Sequence, residues 1–347
     1  MTAFADALRH VATDWTDPDH ASRAEAAAAC VERSNTLTEP AVTFALNQFM
    51  DQLADDGAAA WGDGTADTPA AIGVVVDDPV PTEMLRRACA VWGAGHRLVA
   101  RSDAAAIPIV QAFAQALRAE DARAEVRWVD ADDVYARADA LLALPTADTV
   151  DAVREQIDAH GFKDAHVHLT PPTYSVAVLD GEETEDERED LAEDVLLYEG
   201  RSRRNVALVW APHDQNPDPY LEGMAQFRAV VPAHASTPGA LELPKALLEA
   251  QDASHAYADG LQFLLSRGDP DPQPGAHVRW TEVDALDAVH DWIHAHDAVL
   301  HAVVARPALH DRLDVAVPLL PPGHVHRPAV PDAEDRAVMR FVRDGSA

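Results

Sequence analysis

The chain has 347 residues, 59 of them acidic and 27 basic, for a net charge of −32; a field of that sign repels phosphate backbones and anionic bilayers, which excludes nucleic acid and membrane surfaces as partners. A chain of this length is long enough for two domains of roughly 150 residues each, or for one large domain. No apolar run reaches the ~18 residues of a membrane span, and the first residues carry Asp6 and Asp14 instead of a basic segment followed by an apolar one, so neither a span nor a signal peptide is expected and the location implied is cytoplasmic.

Lys163 and Lys245 are the only lysines, and acidic residues and alanine are spread along the whole chain. That composition reads as adaptation to a salty cytoplasm, where carboxylates hold a hydrated surface and screening removes their mutual repulsion. Cys30 and Cys89 are the only thiols, too few for a disulfide scaffold or a cysteine-based metal cluster.

In chain order, residues 1–60 read as helices, with Phe44, Leu46, Phe49, Met50 and Leu53 near helical spacing. The glycine-rich stretch that follows, to about Pro69, reads as a loop or boundary. Ile72 to Val76 has the length and β-branching of a buried parallel strand. A helix is predicted from Pro81 and Thr82 to Gly93 and Gly95, then a strand HRLVARS, a helix from Ile107, and strands AEVRWVD and DALLALP. The alternation resumes with a strand YSVAVLD, an acidic helix with Leu191, Val195 and Leu196 on one face, and a strand NVALVWAP. Helix is expected for residues 216–231 and across 238–266, then strands HVRWTEV and AVLHAVVA around a helix at residues 284–296. From Pro318 the chain is proline-rich and predicted to track the surface.

Strands alternating with helices imply an α/β fold with a doubly wound parallel sheet, followed by a second α/β half. The expected division is a helical segment 1–60, a dinucleotide-binding-like domain 61–170, a second domain 171–317 and an extension 318–347.

Residues 174–212 carry a more specific pattern. Gly181, Glu182, Glu183 and Thr184 precede an acidic helix, which leads to Tyr198 and Gly200 and then to Arg204, Asn205 and Val206 before a strand. In this order and spacing the segment resembles the LuxC-type acyl-CoA reductases, relatives of the aldehyde dehydrogenases. A weaker likeness covers residues 72–103, where Gly95, His96, Arg97, Arg101 and Ser102 match the family's turn and strand end. The resemblance implies an aldehyde-dehydrogenase-like fold and NADPH-dependent reduction of an acyl-CoA or acyl-carrier thioester to a fatty aldehyde through a cysteine acyl-enzyme. An acyl-activating enzyme is the partner it suggests. By the same resemblance the catalytic positions are Arg203, Glu182 and Asn205, and the cofactor positions are Gly95, Arg97, Arg101 and Ser102.

Arg203 stands where the family has its cysteine, and a guanidinium neither loses its proton nor acts as a nucleophile. Pro79 replaces an asparagine turn, and residues 145–148 read Pro-Thr-Ala-Asp in place of a glycine-rich turn, removing backbone donors that phosphates need. Catalysis is therefore expected to be impaired or lost, the alternative function being a non-catalytic protein that binds an acyl thioester or a partner. Cys30 and Cys89 read as core residues. Glu182 and Glu183 could position water or a nicotinamide, whereas Glu183 and Thr184 also suit the start of a helix. His290, Asp291, His294 and His296 share zinc-like spacing but read as a solvated helix face; His166/His168 and His324/His326 read as structural or surface pairs, and no metal is expected.

Overall fold

The computed structural model describes residues 3–62 and 68–344. Residues 63–67 of the stretch expected as a loop or boundary lie outside them. The chain divides into two compact units, one of residues 1–34, 39–172 and 328–347, the other of residues 35–38 and 173–327. No helix among the described residues is long and apolar enough to cross a membrane.

The first unit opens with helices α1 (Ala3–Asp14), α2 (Ala21–Arg33) and α3 (Glu39–Ala54), whose one part, Glu39 onward, follows the short 35–38 segment of the other unit. Strands and helices then alternate: β1 (Ala71–Val76), α4 (Pro81–Gly93), β2 (Arg97–Arg101), α5 (Ile107–Glu120), β3 (Val126–Val129), α6 (Ala131–Arg137), β4 (Ala140–Leu144), α7 (Val150–Ala159) and β5 (Val167–Leu169). The sheet is parallel throughout, in the order β3-β2-β1-β4-β5. The order in which strands are added reverses between β1 and β4, the place where doubly wound sheets open a crevice at the strands' carboxyl ends. Ile72, Val74 and Val75 are buried, as the β-branched run predicted.

The second unit runs β6 (Tyr174–Val178), α8 (Glu185–Leu196), β7 (Val206–Pro212), α9 (Asp218–Val230), α10 (Thr237–Ala250), β8 (His255–Tyr257), β9 (Leu264–Arg267), β10 (His277–Val283), α11 (Leu286–His296), β11 (Leu300–Val304), α12 (Pro307–His310) and β12 (Leu319–Leu320). Its sheet order is β12-β11-β6-β7-β10-β9-β8, with only the β8–β9 pair antiparallel. Leu191, Val195, Tyr220, Met224 and Leu241 from α8, α9 and α10 cover one face, while Val289 and Ile293 of α11 cover the other.

Two expectations fail. The helix predicted to 266 stops at Ala250, because Asp252 turns to φ 52° and Ala253 N–H donates to Leu248 O at 2.9 Å, which closes the helix end. Leu264 and Leu265, read as helical, lie buried in β9. The proline-rich end does not merely track the surface: it supplies β12, which pairs with β11, and closes in the first unit with α13 (Ala333–Asp344), whose Val338, Met339 and Val342 are buried.

Every residue of α4 is buried, so its charged residues need partners. Arg86 meets Asp335, and Arg87 meets Glu83 and Glu334. Thr170 Oγ1 also donates to Glu334 at 3.1 Å, and His96 Nε2 lies 2.8 Å from Val342 O. These contacts fasten α13 to the first unit.

Candidate functional site

The turn ahead of β7 is built from the end of α8. Thr184 starts that helix with a capping box, its hydroxyl accepting from Glu187 N–H while the Glu187 carboxylate accepts from Thr184 N–H. After Leu197 three residues in a row are left-handed: Tyr198 at φ 56°, Glu199 at 57° and Gly200 at 64°. Only glycine fits at 200, since a Cβ there would stand 2.2 Å from Gly275 O. Glu199 is held by two 3.0 Å hydrogen bonds from Arg228 and one from the Thr237 hydroxyl, all buried. The Tyr-x-Gly spacing in the sequence is the trace of this kink.

Residues Ser202 to Asn205 then turn into β7. Asn205 N–H donates to Ser202 O at 3.0 Å, and Ser202 N–H donates to Asn205 Oδ1 at 2.9 Å. Asn205 Nδ2 lies 2.9–3.1 Å from the carbonyls of Asp194, Val195 and Leu197 and 3.2 Å from His326 Nε2. The amide expected in a catalytic role is thus spent on closing the carboxyl end of α8. Arg203 is 8% exposed, and its carbonyl accepts from Thr173 Oγ1 at 3.3 Å; the Arg204 carbonyl accepts from Ser175 Oγ at 2.7 Å. Arg203 and Asn205 therefore stand together where β6 and β7 begin.

Glu182 stands elsewhere. It follows the end of β6, is exposed, and its N–H donates to Asp180 Oδ1 at 3.1 Å. Because β6 and β7 run parallel, the length of β6, about 16 Å at roughly 3.3 Å per residue, separates it from the Arg203 turn. Its neighbour Glu183 is the buried member of the pair, accepting from the N–H groups of Asp180 and Gly181 and from the Tyr220 hydroxyl. Burial first, and Glu183 second, push the Tyr220 phenol well above its ordinary range.

His326 was legible only as one of a pair. It is buried, packs edge-on to Tyr198 at 5.3 Å, and burial with the Arg204 charge pulls it down to about 3. The helix histidines do not converge: His294 is exposed, His296 stacks on Trp292 at 4.1 Å, and among the described residues no group of three or more His, Cys, Asp or Glu could hold a metal ion. Both thiols are buried in helices of the first unit. Burial pushes Cys30 up to about 12 and Cys89 higher still, so neither supplies a thiolate near neutral pH.

No protein-family model matches this chain, and no curated protein matches it. Solved structures do. An acetylating aldehyde dehydrogenase from Geobacillus thermoglucosidasius superposes with a TM-score of 0.67 at 9% identity, over 96% of this chain and 84% of that one. A methylmalonate-semialdehyde dehydrogenase from Oceanimonas doudoroffii gives 0.67 at 12%, over 94% and 79%. An NAD-dependent benzaldehyde dehydrogenase from Corynebacterium glutamicum gives 0.66 at 12%, over 92% and 81%. The fold is that of the aldehyde dehydrogenases.

In this aldehyde dehydrogenase fold the four residues expected to hold a cofactor fall at two ends of β2. Gly95 (φ 82°) and Arg97 precede the strand: Gly95 N–H donates to Trp92 O at 2.9 Å to close α4, and Arg97 Nη2 lies 3.4 Å from Pro69 O. Arg101 and Ser102 stand at the other end, beside the crevice. There Arg101 is already engaged by Asp77 at 3.0 Å and by both oxygens of Asp103 at 2.9 and 2.8 Å. This end does not fit the phosphates of a dinucleotide.

Proposed function

We propose that this chain is a cytoplasmic relative of the LuxC-type acyl-CoA reductases that has lost thiol catalysis and now holds an acyl thioester, on CoA or on an acyl carrier, without reducing it. The observation that carries the reading is the Ser202–Asn205 turn. At the position of the family's nucleophile it bears Arg203, which cannot lose its proton, and the chain's two thiols are buried and protonated.

The motif over residues 174–212 and the aldehyde dehydrogenase fold support descent from an enzyme whose reaction consumes NADPH. Thioester exchange needs a deprotonated sulfur to attack the carbonyl and release CoA; no group in the turn supplies one. The Asn205 amide, committed to the end of α8, is likewise not offered to an oxyanion. An acyl-activating enzyme is the partner that would deliver the acyl thioester.

The test is incubation of the full chain with a labelled long-chain acyl-CoA and NADPH in high salt. Saturable acyl-CoA binding with no covalent adduct by intact mass, and no fall in nicotinamide absorbance, is the expected result. Aldehyde released in step with an adduct on Cys30 or Cys89 would overturn the reading.

A further inference from the structure

We propose that the first unit has exchanged its dinucleotide site for an internal ion clamp, in which Asp77 and Asp103 hold Arg101 across the carboxyl ends of β1 and β2, so that neither NADPH nor NADH binds. The inference concerns a different unit and a different ligand from the acyl reading and stands apart from it.

A doubly wound sheet binds dinucleotide phosphate by leaving backbone N–H groups and positive charge unspent at the carboxyl ends of its strands. At this end four of the donors are spent. Asp77 N–H donates to Leu144 O at 2.9 Å, Val80 N–H to Asp78 Oδ1 at 2.9 Å, Ser102 N–H to Val129 O at 2.8 Å and Thr146 N–H to Thr149 Oγ1 at 3.0 Å. Pro79 and Pro145 have no N–H to give. In the turn after β4, where close backbone approach needs glycine, no glycine occurs between Pro145 and Thr149.

The charge is spent as well. Arg101 makes three hydrogen bonds to two carboxylates. The hydrogen bonds it donates to Asp103 raise the Arg101 guanidinium above its ordinary value, and the same bonds hold the Asp103 carboxyl below its own. Arg33 Nη2 donates to Ser102 O at 3.0 Å, which ties the strand end to α2. A phosphate entering here would meet two carboxylates already seated on the Arg101 guanidinium, and like charge at that separation repels.

Titrating the full chain with NADPH and with NADH, followed by nicotinamide fluorescence and by calorimetry up to about 1 mM, the top of the usual enzyme range, tests the clamp. No saturation, and an unfolding midpoint that neither nucleotide moves, is the expected result. Saturable one-to-one binding of either nucleotide overturns the proposal, whether or not Arg101→Ala then abolishes it. The two readings fail separately: an acyl-enzyme formed without nucleotide binding sinks only the acyl reading, and nucleotide binding without acyl transfer sinks only this one.

Discussion

Arg86 on α4 is paired with Asp335 on α13, and the two side chains are 4% and 3% exposed. Asp335 also accepts from Asp332 N–H at 3.1 Å, while its own N–H donates to Asp332 Oδ1 at 2.8 Å, so it starts α13 and anchors it at once. Removing Asp335 leaves the buried Arg86 charge facing the more distant Asp332 carboxylate, at 3.7 Å, and a poorly compensated buried charge is costly. Asp335→Ala is expected to lower stability by about 3–5 kcal/mol, read as a lower urea midpoint at unchanged slope. The double change Arg86→Met with Asp335→Leu should recover most of the loss. A single-variant loss below about 1 kcal/mol, the range of surface pairs, would mean that α13 is not docked by this pair.

Asn205 decides between a structural and a chemical role for the turn ahead of β7. As a helix closer, its removal leaves buried carbonyls of Asp194, Val195 and Leu197 without their donor, each at a cost of about 1–3 kcal/mol when nothing replaces it. Asn205→Ala is therefore expected to destabilise the chain by at least about 2 kcal/mol, with loss of hydrogen-exchange protection at the carboxyl end of α8. Unchanged stability together with altered acyl-CoA binding would assign the amide to the ligand.

The alternation from β1 to α5 and from β6 to α9 could be read from the chain because periodicity and turn residues report on local backbone, and the buried run Ile72–Val76 and the helix start at Thr184 are local features; α6, α7, β8, β9 and α13 were not read. What the sequence hid is non-local. The acidic residues of 332–335 look like solvated surface until α4 is seen to need partners for Arg86 and Arg87. His326 read as half of a structural or surface pair, but nothing local names its neighbour Asn205, 121 residues away. Glu182 and Arg203 both sit in the motif that resembles the acyl-CoA reductases, yet strand direction sends them to opposite ends of the sheet. The helix expectation over 251–266 failed since Leu264 and Leu265 are apolar enough for either element, and only pairing with β10 decides.

Gly200 is required by two independent constraints, a φ of 64° and the 2.2 Å approach of Gly275 O to any Cβ. Gly200→Ala should cost about 1–3 kcal/mol for the left-handed backbone alone, and more where Gly275 cannot yield. Thermal unfolding of the variant is the measurement. A midpoint equal to that of the parent would show that the Tyr198–Gly200 kink is not held as described.

His277 sets a pH dependence. Its Nε2 lies 2.8 Å from Ser266 Oγ inside the sheet, and burial, with Arg279 adding to it, pulls the imidazole down to about 4. The unfolded chain takes up this proton below about pH 6.5, whereas the folded chain resists it until about pH 4. Between those values the unfolded state binds more protons, so the contribution to stability is complete above about pH 6.5 and is lost as pH falls toward 4. Asp194 acts in the opposite sense, because burial holds its carboxyl well above the ordinary value and its contribution is lost as pH rises; comparing the parent with His277→Gln at each pH cancels that effect. The stability difference between the two proteins is expected to change by up to about 3 kcal/mol from pH 7 to pH 4, in favour of the variant at acid pH. A difference independent of pH would mean that the imidazole is not held neutral in the folded chain.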